Sequence, residues 1–403
     1  MTSVAAGAAS AALTGLAGVL LLLAVYLVVL TLASLVAVGK QAPASTRWKR
    51  RIAVLIPAHN EEAVLGRLLA SLGQQAYPRE AYEVHVVADN CTDDTARIAA
   101  AFDGVHVHQR CSERERAKGF ALRWLLERLR RRGVDRPGFE AFVVLDADSV
   151  VPPDFLARMN ARLASGSQVV QAYYSVLNAH QGSVAALRFA ALAAIHYVRP
   201  LGRSALGLSC GLKGNGMCFA APVLDRFGWE WVTLAEDVEF HLALVKAGVR
   251  VDFAPEAEVL AEMPVSLAQA ASQNDRWERG RLLVARGAAW RLIVDGVRHR
   301  SALEVDAGLE QMIPPLSVPF GLGLAVMGIS ALFGSWLAAE LALAGIVAQC
   351  LYLMVGLSLV RAPWRIYASL AYAPVYIAWK IAVYARGLTG SSGSAWIRTA
   401  RTR

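Results

Sequence analysis

The stretch that decides the fold reads Phe142-Val143-Val144-Leu145-Asp146-Ala147-Asp148. Its apolar first half predicts a buried strand, and two carboxylates one residue apart follow where that strand ends. Open α/β sheets bind ligands at the carboxyl edge, so the strand would deliver both acids to a binding site. Mg²⁺ is typically held by one or two carboxylates together with substrate phosphates. Strand-end acids also serve as turn or cap residues, and both roles stay open for this stretch alone.

Short β-branched runs alternate with helical patterns from residue 51 to about residue 263, as in parallel βαβ units. We predict strands at 51–56, 82–88, 105–108 and 142–145, and helices at 62–73, 96–102 and 118–132. Acidic or turn residues follow three of the strands, at 57–61, 89–94 and 146–148. Neighbouring parallel strands end at one edge, so we expect these loops to converge. The first turn lacks GxGxxG, which disfavours a dinucleotide dehydrogenase.

Apolar segments flank this middle region in a chain of 403 residues that is 56% apolar. Residues 1–39 carry no charged side chain, and residues 11–38 are long enough to cross a bilayer. A signal peptide would need a basic start and a shorter apolar run. The basic residues Lys40, Arg47, Lys49, Arg50 and Arg51 follow directly. The positive-inside rule therefore predicts a short outer amino terminus and a cytoplasmic middle region.

Three further apolar stretches lie at 311–339, 341–360 and 366–385, so we count four spans. Three spans after a cytoplasmic domain would leave the basic tail outside, against the same rule. Pro314, Pro315 and Pro319 mark the first stretch as the one that re-enters or lies in the interface. The predicted organisation is a transmembrane helix (1–39), a cytoplasmic domain (40–265), an amphipathic interfacial segment (266–310), about three transmembrane helices (311–386) and a basic tail (387–403).

The net charge of +9 is concentrated beside the membrane, with seven arginines between residues 275 and 301. Leucine, valine and isoleucine are interleaved with them, which suits a helix in the headgroup layer near anionic lipid or a diphosphate. No recognition motif accompanies this charge, so nucleic acid is disfavoured as a partner. The five cysteines form no CxxC pair, which indicates reduced, packed thiols rather than a zinc site.

Six short motifs occur in a fixed order along the chain. They are Pro57-Ala58-His59-Asn60-Glu61, Asp89-Asn90, Lys118-Gly119, Asp146-Ala147-Asp148, Glu236-Asp237 and Gln273-Asn274-Asp275-Arg276-Trp277. Together they resemble the membrane-bound family 2 glycosyltransferases, which include cellulose, chitin and hyaluronan synthases and ceramide glucosyltransferases. The resemblance implies an α/β fold: a GT-A (Rossmann-like) cytoplasmic domain with a mostly parallel sheet, plus transmembrane and interfacial α-helices.

The resemblance also implies the donor site. Pro57, His59, Glu61 and Asp89 would hold the base and ribose of a UDP-sugar, Lys118 would lie near the nucleotide, and Asp146 and Asp148 would be the nucleotide and metal carboxylates. Asp148 would be the direct ligand of Mg²⁺ or Mn²⁺, which would bridge the two phosphates. His59 could equally be a turn histidine and Lys118 a solvated surface lysine.

Glu236 and Asp237 precede a helical pattern, where acids also complement the helix dipole. The resemblance makes Asp237 the general base that removes a proton from the acceptor hydroxyl. A single displacement would then invert the anomeric centre and give a β-linkage. The family usually has threonine before this pair, whereas this chain has Ala235, which leaves the helix cap in doubt.

Gln273, Arg276 and Trp277 fall at i, i+3 and i+4, on one face of a predicted helix. With Glu236 they would form the acceptor and diphosphate site, the arginine on diphosphate oxygens and the tryptophan under a sugar ring. An interfacial tryptophan beside lipid is the alternative. The loop 213–217 has two glycines, which suit either close approach to a sugar or an ordinary turn.

The implied activity is metal-dependent inverting hexosyl transfer from a UDP-sugar to a growing cell-surface polysaccharide. The alternative is transfer of one sugar to a membrane lipid, because four spans are few for a translocation channel unless the chain forms a homo-oligomer. An aspartate-dependent phosphohydrolase would need a further acid pair and leaves Asp89 and the residues 273–277 unexplained. A silent membrane scaffold would bind UDP without turnover.

Overall fold

Eight strands form one sheet in the computed structural model, which describes residues 2–39, 48–132, 138–233 and 235–389. The strands are β1 (Ile52–Ala58), β2 (Tyr82–Asp89), β3 (Val105–Arg110), β4 (Ala141–Val144), β5 (Ser149–Val150), β6 (Val169–Val176), β7 (Met217–Ala220) and β8 (Val251–Ala261). Their order is β3-β2-β1-β4-β7-β6-β8-β5. The first four strands pair in parallel, as predicted. The sheet is nevertheless mixed, because β7 is antiparallel to both β4 and β6, and β5 is antiparallel to β8.

Sixteen α-helices surround or follow the sheet in the described part of the chain. They are α1 (Thr2–Ala37), α2 (Leu65–Gly73), α3 (Thr95–Ala100), α4 (Lys118–Arg132), α5 (Phe155–Ala164), α6 (Ser183–Leu192), α7 (Arg199–Ala205), α8 (Ala221–Phe227), α9 (Glu236–Lys246), α10 (Leu267–Val284), α11 (Trp290–His299), α12 (Ala302–Met312), α13 (Ser317–Leu332), α14 (Trp336–Leu359), α15 (Trp364–Ser369) and α16 (Ala373–Thr389). Wider helical turns at 193–198 and 285–289 join α6 to α7 and α10 to α11.

Both faces of the sheet are covered by helices, which explains the continuous apolar runs of its strands. In β1, Ile52, Val54 and Ile56 pack with α2 and α5 on one face. The alternating residues Ala53 and Leu55 pack with α4, α8 and α9 on the other face. Every residue of β1 is buried, so the strand lies at the centre of the core.

The loops after β1 and β2 meet at the carboxyl edge of the sheet, as predicted. Asn60 and Asn90 both adopt positive φ angles of 56° and 51°, a conformation that asparagine tolerates better than most residues. The Thr92 backbone N–H donates to Oδ1 of Asn60 at 2.8 Å, and the Glu61 N–H donates to Oγ1 of Thr95 at 2.8 Å. These bonds tie the two loops together beside the end of β4.

Four helical segments of the described residues are long and apolar enough to cross a membrane: 7–37, 183–205, 336–359 and 364–386. A fifth candidate is the pair α12 and α13, bent by 69° at the break that contains Pro314 and Pro315. The bend falls in the stretch for which we predicted re-entry. The segment 183–205 was not predicted as apolar, since Arg188, Arg199 and Arg203 interrupt it. The flanking basic residues Lys40 and Arg47 and the tail from residue 390 lie outside the described residues.

Candidate active site

A cavity of about 910 Å³ begins at the carboxyl edge of the sheet and continues between the helices. Ten of the predicted site residues line it: Pro57, His59, Glu61, Lys118, Asp146, Asp148, Glu236, Asp237, Gln273 and Trp277. Asp89 does not line the cavity, and the side chain of Arg276 lies outside the described residues. Residues spread over more than 200 positions of the sequence therefore line one cavity.

Lys118 lies among the acids of this cavity, at the first position of α4. Its Nζ donates to Oδ1 of Asp146 at 2.6 Å and to the carbonyl of Gly214, and it lies 3.9 Å from Oε1 of Glu236. Burial disfavours the charged lysine, but the carboxylates of Asp146, Glu236 and Asp237 outweigh burial and raise the pKa of Lys118. The lysine is therefore a fixed positive charge inside the site and not a solvated surface residue.

Asn215 holds the turn that carries the two aspartates after β4. Its Oδ1 accepts from the Asp146 backbone N–H at 3.0 Å, and its Nδ2 donates to Oγ of Ser149 at 2.8 Å. Asn215 is fully buried, between two glycines with positive φ. A Cβ at Gly216 would lie 2.7 Å from the Val259 side chain, so the loop 213–217 requires glycine there. This loop is thus a support of the acidic turn.

Glu236 and Asp237 open α9, as predicted, and both face the cavity. No side chain caps the helix at Ala235; instead Oγ1 of Thr233 accepts from the Ala235 N–H at 3.2 Å and donates to Glu239 at 2.9 Å. Burial raises the pKa of Asp237, and Lys118 opposes that rise. Burial likewise raises the pKa of Glu236, to about 7. The pair therefore holds a proton more readily than ordinary carboxylates do.

Asp89 does not line the cavity; it lies behind His59, which does. Its carboxylate is fully buried and accepts from Nη1 of Arg110 at 2.7 Å, and Arg110 also binds Glu115. The Asp89 carbonyl lies 2.8 Å from Nδ1 of His59. The structure thus gives Asp89 a role in fixing the His59 loop, and its direct contact with a nucleotide stays a prediction.

Gln273 and Trp277 share one face of α10, as predicted from their spacing. The guanidinium of Arg188 lies over the Trp277 ring, 4.6 Å from its centre, and donates to Oδ1 of Asn274 at 3.1 Å. The cation holds the indole in place. Gln273 is buried, and its Oε1 has no hydrogen-bond partner among the described residues.

Sequence reasoning missed the charged residues of the helices that extend the cavity. They are Arg188, His196, Arg199, Glu278, Glu310 and Lys380, whereas Arg281 belongs to the arginine-rich stretch that we expected near anionic lipid or a diphosphate. Lys380 lies within a predicted span and forms an ion pair with Glu278 at 2.8 Å. The sequence alone could have indicated Lys380 as a candidate site residue, because an ionisable residue inside an apolar, membrane-length segment is a functional candidate by default.

The strand-end acids fit a divalent cation by their chemistry. Asp146 and Asp148 supply hard carboxylate oxygens to the cavity from a fixed turn. No group of three histidine, cysteine or acidic side chains within the described ranges is arranged to hold a metal by itself.

Comparisons with known proteins agree with this geometry. The family model described as "Glycosyltransferase like family 2" matches residues 50–280, more than half of the chain. A relative from Nostoc sp. named "Beta-monoglucosyldiacylglycerol synthase" is 30% identical over 239 residues, which are 57% of this chain and 48% of the relative. A relative from Oryza sativa named "Probable glucomannan 4-beta-mannosyltransferase 6" is 27% identical over 256 residues, 60% of this chain and 43% of the relative. The chain spans about half the length of these relatives or less.

The fold has a solved counterpart of similar length. The mannosyltransferase PcManGT from Pyrobaculum calidifontis, solved with GDP-Man and Mn²⁺, aligns with a TM-score of 0.59 and 18% identity, over 93% of this chain and 99% of the counterpart. The strand-end acids, the acidic start of α9 and the α10 motif all lie in or beside the region that the family model matches. The chain therefore belongs to the family 2 glycosyltransferases and has the GT-A fold with additional apolar helices.

Proposed function

We propose that this protein transfers a sugar from a nucleoside-diphosphate sugar to a membrane lipid. One observation carries the proposal: the cavity that contains Asp148 and Asp237 continues to Leu324 and Met354, which are 44% and 42% exposed on apolar helices. Such a cavity can accept a headgroup at its polar end and acyl chains at its apolar end. The relative from Nostoc sp., whose name describes synthesis of a glucosylated diacylglycerol, supports the same acceptor class.

The donor would bind at the sheet edge, with its base near Pro57, His59 and Glu61. Carboxylates and the histidine can exchange hydrogen bonds with the base and with ribose hydroxyls. Asp89 would act through His59, whose Nδ1 lies 2.8 Å from the Asp89 carbonyl. UDP and GDP remain alternatives for the nucleotide, since the counterpart from Pyrobaculum was solved with GDP-Man.

A divalent ion, Mg²⁺ or Mn²⁺, would be held by Asp148 and Asp146 together with the donor diphosphate. When bound, it would neutralise the charge that builds on the leaving nucleoside diphosphate. Lys118, fixed on Asp146 at 2.6 Å, would add a second positive charge near the same phosphates. The counterpart's Mn²⁺ supports this use of the acidic turn.

Asp237 would accept the proton of the acceptor hydroxyl as that oxygen attacks the anomeric carbon. The bond from the carbon to the donor phosphate breaks on the opposite face, so the configuration inverts. Burial raises the pKa of Asp237, so its carboxylate accepts a proton more readily than an ordinary one, which suits a general base. The Trp277 ring, held by Arg188, would support a sugar or headgroup in the acceptor site.

Elongation of a polysaccharide is the second candidate, and it was our first prediction from the sequence. Gln273 and Trp277 line the cavity as parts of the motif that chain-building synthases share. The glucomannan mannosyltransferase relative from Oryza sativa also favours it. The number of sugars added to one acceptor separates the two candidates.

Product analysis tests the proposal. The full chain is reconstituted in lipid vesicles with Mn²⁺ and offered UDP-glucose, UDP-N-acetylglucosamine, UDP-galactose, UDP-glucuronate or GDP-mannose. We expect nucleotide release with one donor and a lipid whose mass increases by one sugar. A water-soluble chain of many sugars would favour the polysaccharide candidate over the lipid. Absence of turnover with every donor would contradict glycosyl transfer and leave the silent scaffold.

A further inference from the structure

The helical part of the cavity carries more positive than negative charge. We define this part by the lining residues of α6, α7, α10, α12–α14 and α16 together with Lys213. Its cations are Arg188, Arg199, Lys213, Arg281 and Lys380, and its carboxylates are Glu278 and Glu310. Lys380 pairs with Glu278 at 2.8 Å and Lys213 with Glu310 at 2.9 Å. Three arginines remain after these pairs.

None of these three guanidiniums lies within 4 Å of a carboxylate of the described residues. Arg188 binds Asn274 and the Trp277 ring, and Arg281 donates to the carbonyl of Ile313. Arg199 donates through Nε to the Tyr352 hydroxyl at 3.0 Å. Burying a cation without a counter-charge is costly, so an anionic ligand would stabilise this arrangement.

Arg199 gives the sharpest indication of where such an anion binds. Its side chain is 2% exposed and lines the cavity, and its Nη2 has no hydrogen-bond partner among the described residues. Burial lowers the pKa of Arg281; the Glu278 carboxylate opposes this effect, and the positive charge of the nearby Arg199 lowers the pKa further. Two arginines that line the same cavity offer forked guanidinium donors, which match the oxygens of a phosphate.

The neighbouring lining is apolar, so a free anion would use only part of the space. Phe320, Leu324, Leu353, Met354 and Ile381 extend the cavity along α13, α14 and α16. Leu324 and Met354 reach the outer surface of these helices. A ligand that fills both regions has an anionic head and a hydrocarbon tail.

We propose that the acceptor is a lipid with a phosphate-bearing headgroup, and that Arg199 and Arg281 bind its phosphate. This inference rests on the proposed lipid acceptor and narrows its chemical class. A neutral lipid such as a diacylglycerol would leave both guanidiniums without an anionic oxygen within ion-pair distance. Arg188, beside Trp277, would bind the same headgroup from the side of the donor.

Native mass spectrometry of the full chain in detergent tests the inference with three probes: phosphatidic acid, the diacylglycerol with the same chains, and glycerol 3-phosphate. We expect phosphatidic acid to be retained at least about tenfold more strongly than either other probe. Diacylglycerol lacks the phosphate, and glycerol 3-phosphate lacks the acyl chains. Equal retention of diacylglycerol would overturn the inference. Equal retention of glycerol 3-phosphate would assign the arginines to a free or donor phosphate and also overturn it.

Variants locate the binding to the arginines. Arg199→Gln combined with Arg281→Gln should remove the preference for phosphatidic acid, and Arg199→Lys with Arg281→Lys should restore part of it if folding is intact. Arg279→Gln is the matched control, since Arg279 lies on α10 and pairs with Asp275 at 3.0 Å. A preference that survives the glutamine pair contradicts the assignment. Sugar transfer to a neutral lipid would overturn this inference and leave the proposed function standing.

Discussion

Asp237 is half-buried and lines the cavity from the first turn of α9, where we propose that the acceptor hydroxyl binds. We predict that Asp237→Asn lowers the rate of sugar transfer by about 10²–10⁴-fold, since the amide cannot accept the acceptor proton. Binding of the donor nucleotide, followed by calorimetry, should change little. Asp225→Asn on α8 is the control, because Asp225 is 68% exposed and distant from the chemistry. Unchanged nucleotide release in the Asp237 variant would show that another group is the base.

The raised pKa of the acidic pair predicts a pH dependence. A base must be deprotonated to act, so kcat/KM should rise as the pH increases through the folded-state pKa. Burial raises the pKa of Asp237 and brings that of Glu236 to about 7, so this rise should lie above the ordinary carboxylate range of about 4. Glu236→Gln should move the rise to lower pH. An activity that is flat from pH 5 upward in the wild type would contradict a raised pKa of the catalytic base.

Asp148 is the proposed direct ligand of the divalent ion. Asp148→Asn should weaken Mn²⁺-dependent binding of nucleoside diphosphate by about tenfold or more, as titration calorimetry with and without EDTA would measure. Asp154→Asn, at a partly exposed ion pair with Arg158, should leave this nucleotide binding unchanged. The chain supplies only part of the shell, so Mn²⁺ alone should bind weakly. Tight stoichiometric binding of Mn²⁺ without nucleotide would contradict this arrangement.

At the scale of elements, the sequence predicted the parallel half of the sheet well. The pattern gave α4 its observed bounds, 118–132, and β2 to within one residue. Periodicity suffices there because β1, β2 and β4 are buried on both faces and the helices between them on one. The antiparallel strand β7 has only four residues and is defined by its partners β4 and β6, which a local pattern cannot identify.

We did not predict the segment 183–205 as a membrane span, because its arginines indicated a solvent-exposed helix. In the structure their charges are buried against distant partners. Arg203 contacts Asp306 and Glu310 of α12 and the Tyr26 hydroxyl of α1, and Arg199 contacts Tyr352 of α14. The hydropathy of the segment itself cannot reveal these stabilising contacts, because the partner residues lie on three other helices.

The ion pair between Lys380 and Glu278 joins α16 to α10, and both side chains are about 6% exposed. Lys380→Met should destabilise the protein by about 3–5 kcal/mol, because it leaves a buried carboxylate without its counter-charge. The double variant Lys380→Met with Glu278→Met should recover most of that loss. Thermal unfolding in detergent measures both. Lys246→Met, in an exposed pair with Asp295, is the control and should cost less than about 1 kcal/mol. A double variant as unstable as the single one would contradict a pairwise origin.

In the whole molecule, the sheet edge proposed to bind the donor and the helix-lined space proposed to bind the acceptor belong to one cavity. The strand-end acids could be predicted to converge, because parallel strands end at one edge. The lining of the helical part could not be predicted, because it comes from seven helices and no sequence motif indicates how they pack together.

Continuity of that cavity is the central claim, and steady-state kinetics of sugar transfer to lipid test it most directly. Leu353 lines the helical part from α14, whereas Leu351 on the same helix is 58% exposed and does not line it. Leu353→Trp should raise the KM for the lipid acceptor about tenfold and leave the Kd for the donor nucleotide unchanged, and Leu351→Trp should change neither. The added tryptophan ring should fill part of the space. If the Leu353 variant transferred sugar with an unchanged KM for lipid, the donor site and the lipid site would not share one cavity.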